Sequence, residues 1–128
     1  MSSFVLDASA LLALLNEEPG RDRVARAIGA DCAISAVNYC ETLGKLIDAG
    51  VPEDDARQSV DLLNIKIVEF DASQAFAAAS LRSSTKRLGL SLGDRCCLGL
   101  GLARKATVLT AESSWSKLTI GVRVEIIR

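Results

Sequence analysis

Histidine does not occur among the 128 residues, and its absence removes more chemistry than any other feature of the chain. A Ser-His-Asp or Cys-His centre cannot be assembled within it, nor a two-histidine phosphodiester-cleaving centre, nor a zinc site with histidine ligands. Acid–base work must fall to carboxylates, lysine, tyrosine, cysteine or metal-bound water. Aromatic residues are scarce at 4%, so Leu, Ile, Val and Ala must fill the core, which suits helices packed on a sheet. An excess of positive charge is missing too: 15 basic residues face 16 acidic ones. The overall field therefore does not attract nucleic acid, and any such binding must rest on a local patch and on metal ions. The four cysteines, Cys32, Cys40, Cys96 and Cys97, lack CxxC spacing and are expected as small, reduced core residues. No run is long and apolar enough to span a membrane. The opening Met1-Ser2-Ser3-Phe4-Val5-Leu6-Asp7 lacks the basic flank of a secretory signal. The expectation is a mature cytoplasmic chain folding as one domain over residues 1–128, with 49% hydrophobic residues to build its core.

Apolar runs and helical stretches alternate along the chain. Phe4-Val5-Leu6 reads as a buried strand ending at Asp7. An Ala/Leu helix over 8–16 is broken by Pro19-Gly20, and a second short helix covers 21–28. Cys32-Ala33-Ile34 is a strand, and Ser35 caps a helix over 36–49 with Val37, Cys40, Gly44 and Ile47 on one face. Pro52, followed by Glu53, Asp54 and Asp55, opens a helix to about 63. The alternating stretch 65–70 is a strand. Asp71 or Ser73 caps one long Ala-rich helix to about 88, closed by Gly89. Ser91 opens a helix over 92–105, 107–109 is a strand, 113–117 a short helix, and 122–127 a last strand. This order predicts an α/β sandwich with a mostly parallel sheet. Gly99 and Gly101, inside a helical pattern, are expected to permit close helix packing. They do not form a phosphate loop, since no strand immediately precedes them and the Lys-Ser/Thr of such a loop is absent.

Sites in parallel α/β sheets form beyond the carboxyl ends of the strands. Asp7 and Glu112 follow strands directly, Asp94 opens a helix, and Glu41 lies inside one beside its apolar face. Each also has a plainer explanation. Asp7 suits a helix N-cap, Asp94 a capping box with Ser91, Glu112 a helix dipole, and Glu41 a surface pair with Lys45. Taken together in one cleft, such carboxylates repel one another, and a divalent cation relieves the repulsion. Oxygen-only donors suit Mg²⁺ or Mn²⁺, ions that activate water and stabilise charge on a phosphodiester.

The context of these acids carries a resemblance. Phe4-Val5-Leu6-Asp7-Ala8-Ser9-Ala10-Leu11-Leu12 resembles the opening of a PIN domain. Ser35-Ala36-Val37-Asn38-Tyr39-Cys40-Glu41 resembles the second acidic motif, Leu90-Ser91-Leu92-Gly93-Asp94-Arg95 the third, and Val108-Leu109-Thr110-Ala111-Glu112-Ser113-Ser114-Trp115 the closing one. Four matches in order, at this length, are similar to the VapC toxins of type II toxin–antitoxin pairs. The resemblance implies a PIN-like three-layer α/β/α sandwich and a Mg²⁺- or Mn²⁺-dependent endoribonuclease that arrests growth. It further implies a homodimer neutralised by a small VapB-type antitoxin. By motif match Asp7, Glu41 and Asp94 become metal ligands, Glu112 a fourth, and Ser9 a supporting hydrogen bonder. Glu112 departs from the Asp usual there, and its longer arm shifts the oxygens. Lys86, Arg87 and Arg95 are candidates to touch the RNA backbone, with Arg21, Arg23 and Arg26 a second basic group. Trp115 is expected in the core rather than as a base-stacking platform. Two other readings make different predictions: an inactive PIN-like binding module, which Glu112 favours, and a haloacid dehalogenase-type phosphatase. The phosphatase wants a second Asp where Ser9 stands.

Overall fold

A run such as Phe4-Val5-Leu6 is stable only with both of its faces covered, and the topology provides that cover. The computed structural model describes residues 2–128. Its strands β1 (Ser3–Leu6), β2 (Asp31–Ser35), β3 (Lys66–Val68), β4 (Thr107–Thr110) and β5 (Arg123–Ile126) form one sheet in the order β3-β2-β1-β4-β5. Every pairing is parallel. The helices are α1 (Ala8–Leu15), α2 (Arg21–Ile28), α3 (Ala36–Asp48), α4 (Glu53–Asp61), α5 (Ala72–Ser80), α6 (Arg82–Thr85) and α7 (Leu92–Arg104).

Side chains alternate across a strand, and β1 divides accordingly. Phe4 and Leu6 join Leu11 of α1, Val24 and Ala27 of α2, Ile34 and Leu109 in one core. Val5 joins Leu98 and Leu100 of α7, Val108 and Trp115 in the other. A smaller cluster of Leu12, Leu46 and Ala56 ties α1, α3 and α4 together. The expected three-layer α/β/α architecture is therefore present, and its parallel sheet is covered on both sides. The two glycines of α7 permit close approach in different directions. A Cβ on Gly101 would strike the Val108 side chain on the sheet. A Cβ on Gly99 would lie 3.5 Å from the Ala77 Cβ of α5.

Three expectations need correction. The strand over 65–70 shortens to β3, an edge strand that pairs only with Ala33–Ser35 of β2, and Ile67 on it is exposed. The long helix over 72–88 is broken at Leu81. There the Leu81 amide bonds the Ala78 carbonyl, three residues back, at 3.3 Å, while the Leu81 carbonyl accepts from the Thr85 amide at 3.1 Å and from the hydroxyls of Ser84 and Thr85 at 3.2 and 2.7 Å. Gly89, at φ 64°, closes the 3₁₀ turn that follows. On α3 the inward face is Asn38, Thr42 and Leu46, while Cys40 and Ile47 are exposed. The buried face is rotated by one residue because two polar side chains there find buried partners. Cys32, Cys96 and Cys97 are buried as expected. A thiol reagent applied to the native protein is expected to label Cys40 rapidly and the other three only on unfolding; more than one fast equivalent would contradict this burial pattern.

The chain builds β2 and β3 on one side of β1, then returns to place β4 and β5 on the other. The connections thus reverse between β1 and β4, and such a switch point leaves a crevice at the carboxyl edge of the sheet.

Candidate active site

Asp7 leaves β1 at that switch point and at once caps α1. Its Oδ1 accepts from the Ala10 amide at 2.8 Å and from the Ser9 hydroxyl at 2.7 Å. Across the crevice, Thr110 at the end of β4 donates its hydroxyl to Asp7 Oδ2 at 2.6 Å. Ser9 is itself held, since its Oγ accepts from the Ala111 amide at 2.9 Å. The capping explanation of Asp7 is therefore correct, and it does not exclude chemistry: three donors fix the carboxylate and leave lone-pair capacity free. Asp7 is only 4% exposed. Burial pushes its pKa up to about 6, against the lowering effect of Thr110, Ser9 and the Ala10 amide, and the charge of Asp94 adds to the rise.

Asp94 likewise combines two positions. It completes the capping box of α7, accepting from the Ser91 amide at 2.9 Å while its own amide donates to Ser91 Oγ at 3.1 Å. Its charge is nevertheless felt at Asp7. Glu41, on α3, is exposed, and its Oε1 accepts from Asn38 Nδ2 at 2.8 Å. Among the described residues Lys45 forms no ion pair with it. The Cys97 thiol, on the buried face of α7, is pushed well above its ordinary range by burial and then by Asp7, Asp94 and Glu41 in turn. Glu41 reaches α7 directly: both of its carboxylate oxygens lie close to where a Cβ on Gly93, the residue before Asp94, would stand, and Asn38 bridges Glu41 Oε1 to the Gly93 carbonyl. Glu112 lies on the turn just past β4, exposed, and makes no side-chain cap. Its amide donates to Thr110 Oγ1 at 3.0 Å, so the turn that carries it is tied to the residue that orients Asp7.

Among the described residues no three Asp, Glu, Cys or His side chains are gathered closely enough to enclose a metal ion as they stand. The fit to a divalent cation rests instead on donor chemistry. The candidate donors, Asp7, Glu41, Asp94 and Glu112, are all carboxylates, suited to a hard ion, and Asp7 is held in a desolvated position that a cation would relieve.

The basic candidates separate by environment. Lys86 and Arg87 are exposed on the 3₁₀ turn before α7. Arg95 is half-buried and donates to the Ala78 carbonyl of α5 at 3.1 Å. Arg23 is paired with Glu125 and stacked on the Phe4 ring, leaving Arg21 and Arg26 exposed beside it. A cleft of about 550 Å³, lined by Phe4, Arg23, Lys105, Thr107 and Arg123, opens at the amino edge of the sheet, away from the acids. Trp115 lies in the core as expected, 1% exposed.

Sequence reasoning centred on acids passed over Thr110, Asn38 and Gly93. Thr110 had a detectable signal, a hydroxyl one place beyond the last apolar residue of a strand. Asn38 had one as well, three residues before Glu41 on the same helix. Gly93 had only its position beside Asp94.

The strand order and the acidic carboxyl edge define a three-layer α/β protein of the PIN type. The PIN domain family matches residues 4–120. A VapC ribonuclease of Mycobacterium bovis is 34% identical over 110 residues, covering 78% of this chain and 81% of its own. Ribonuclease VapC30 of Mycobacterium tuberculosis matches to the same extent. Among solved structures, a toxin–antitoxin complex from Klebsiella pneumoniae aligns over 98% of both chains, with TM-score 0.78 and 18% identity. DNA-bound VapBC from Salmonella typhimurium aligns over 100% of both, with TM-score 0.76 and 19% identity. At these identities the structural likeness is one of fold. The chain belongs to the PIN-domain family, among its VapC ribonucleases, which removes the phosphatase alternative.

Proposed function

We propose that this chain is the endoribonuclease toxin of a VapBC-type pair, acting in the cytoplasm as one domain, as a homodimer, and neutralised by a VapB-type antitoxin. What supports this reading is that Asp7 ends β1 at the switch point while Asn38 ties Glu41 to Gly93, the neighbour of Asp94, in a chain of this family. Asp7, Glu41 and Asp94 are the oxygen donors that would hold Mg²⁺ or Mn²⁺, with Glu112 as a fourth. Such an ion supplies activation of water and neutralises charge developing on the scissile phosphate. Ser9 and Thr110 keep the Asp7 carboxylate turned toward the crevice through their hydroxyls. The Asp7 site excludes water by burial, which strengthens every electrostatic interaction made there. Lys86 and Arg87, with Arg95 if it leaves its carbonyl partner, would neutralise backbone phosphates of RNA.

The test is cleavage of RNA by purified protein in EDTA, then with Mg²⁺ or Mn²⁺ restored, alongside Asp94→Asn. Asn keeps a side-chain acceptor for the capping box and removes the charge. Cleavage is expected to appear only with the cation and to fall about 10²–10³-fold in the variant, with loss of growth arrest on expression. Undiminished cation-dependent cleavage by Asp94→Asn would sink the mechanism. Tight antitoxin binding by a wild-type chain that cleaves nothing under either cation would establish the inactive binding module instead.

A further inference from the structure

Glu41 poses a problem that the three acids do not share equally. Asp7 is fixed by three donors and Asp94 by its capping box, whereas Glu41 is a long, exposed side chain on the middle of a helix. Left alone, such a side chain samples many rotamers, and ordering it around a cation has an entropic cost. Two neighbours remove that freedom. Asn38 is 1% exposed and directs its Nδ2 to Glu41 Oε1 at 2.8 Å and to the Gly93 carbonyl at 3.0 Å. Both amide hydrogens are therefore used, one on the carboxylate and one on α7. Gly93 supplies the room. A Cβ at that position would lie 2.5 Å from both Glu41 oxygens, closer than real atoms approach. The glycine is not demanded by backbone geometry, since it lies in the first turn of α7 and is not at positive φ, where Ala would form helix more readily.

We propose that Asn38 and Gly93 form a seat that fixes the Glu41 carboxylate against α7, making them positioning residues for cation binding. This rests on the reading of Glu41 as a cation ligand. Asn38 pulls the carboxylate from one side by hydrogen bonding, and Gly93 admits it from the other by lacking a side chain. The seat joins α3 to α7, so that the acid of one helix is held in register with Asp94 of the other.

The experiment compares wild type, Asn38→Ala, Gly93→Ala and Glu41→Gln by Mn²⁺ affinity, measured from water-proton relaxation, and by the Mn²⁺ dependence of RNA cleavage. Loss of an outer partner of a metal ligand typically weakens affinity about ten- to hundredfold. Asn38→Ala and Gly93→Ala are each expected to weaken Mn²⁺ binding on that scale and to raise the half-saturating Mn²⁺ for cleavage in parallel. Cleavage at saturating Mn²⁺ should largely recover, a split that a merely structural defect does not give. Adding Asn38→Ala to Glu41→Gln is expected to change Mn²⁺ affinity no further. In the metal-free protein, the Asn38 side-chain amide resonance is expected to move on Glu41→Gln. Gly93→Ala preserves helix propensity, so it decides the matter if Asn38→Ala does not fold. Wild-type Mn²⁺ affinity in the seat variants, with affinity lost in Glu41→Gln, overturns the seat. Wild-type affinity in Glu41→Gln itself overturns the ligand reading beneath it.

Discussion

Asp7→Asn is expected to lower RNA cleavage about 10²–10³-fold while stabilising the metal-free protein at neutral pH. The two effects share one cause. Burial raises the Asp7 pKa from 3.8 to about 6, and that gap corresponds to about 3 kcal/mol. A carboxyl whose folded pKa is raised binds its proton more tightly in the folded state. Its contribution to stability is therefore fully present below pH 3.8 and is lost as pH rises through about 6. At pH 7 the folded chain carries the whole penalty of a buried anion. Asn removes that charge and keeps an Oδ1 for Ser9 and the Ala10 amide, although it gives up the strong acceptor that Thr110 meets. The net gain is expected at about 1–2 kcal/mol, with each kcal/mol worth about 3–5 °C in a domain of this size. In EDTA, the wild-type melting temperature should decline between pH 4 and pH 7 more steeply than that of Asp7→Asn, the difference isolating this one group. Parallel pH profiles for the two proteins would refute the buried-anion account. A divalent cation should narrow the gap at pH 7, because it stabilises only the protein that can bind it.

The largest effect on stability is expected at Trp115. Trp115→Ala should cost about 3–5 kcal/mol in urea or thermal unfolding. The indole is packed with Val5, Leu98 and Val108 in the core between the sheet and α7, and Ala would leave a cavity there. Its backbone amide also closes the turn onto the Glu112 carbonyl at 3.1 Å. Emptying the core beneath this turn therefore loosens the segment that presents Glu112, and cleavage should weaken along with stability. Trp115 is the sole tryptophan, so native emission reports its environment directly and should be blue-shifted. A loss of less than about 1 kcal/mol, or red-shifted native emission, would mean that the indole is not a core residue.

Much of the architecture was legible because its signals are local. A parallel strand buried on both faces reads as an unbroken apolar run, as at Phe4-Val5-Leu6 and Val108-Leu109. Ser35, Asp71 and Ser91 cap the helices that they were expected to open. Apolar periodicity failed on α3, because Asn38 and Thr42 are polar yet face inward. Their burial depends on partners that no local pattern records: Asn38 meets a carbonyl 55 positions away. The break at Leu81 was hidden for a different reason. Ala-rich sequence argues for a continuous helix, and nothing local in it records the step at Leu81, whose amide bonds Ala78, three residues back. In the site, the acids were visible through their chemistry and their positions after strands or at helix starts. Asn38, Gly93 and Thr110 were not, since each acts on a carboxylate without carrying charge. Gly93 acts through an atom that it does not possess.

The switch point between β1 and β4 also sets a timetable. Asp7 is synthesised well before the hydroxyl that holds its second oxygen, which lies 103 positions later, on Thr110. Until β4 is made, β1 lacks one of its two neighbours, and half of the crevice does not exist. Loop closure over such a separation precedes any reward from the contacts it brings. A growing chain therefore carries Asp7 for some time without the second wall of its crevice, which is completed only when β4 slots in beside β1.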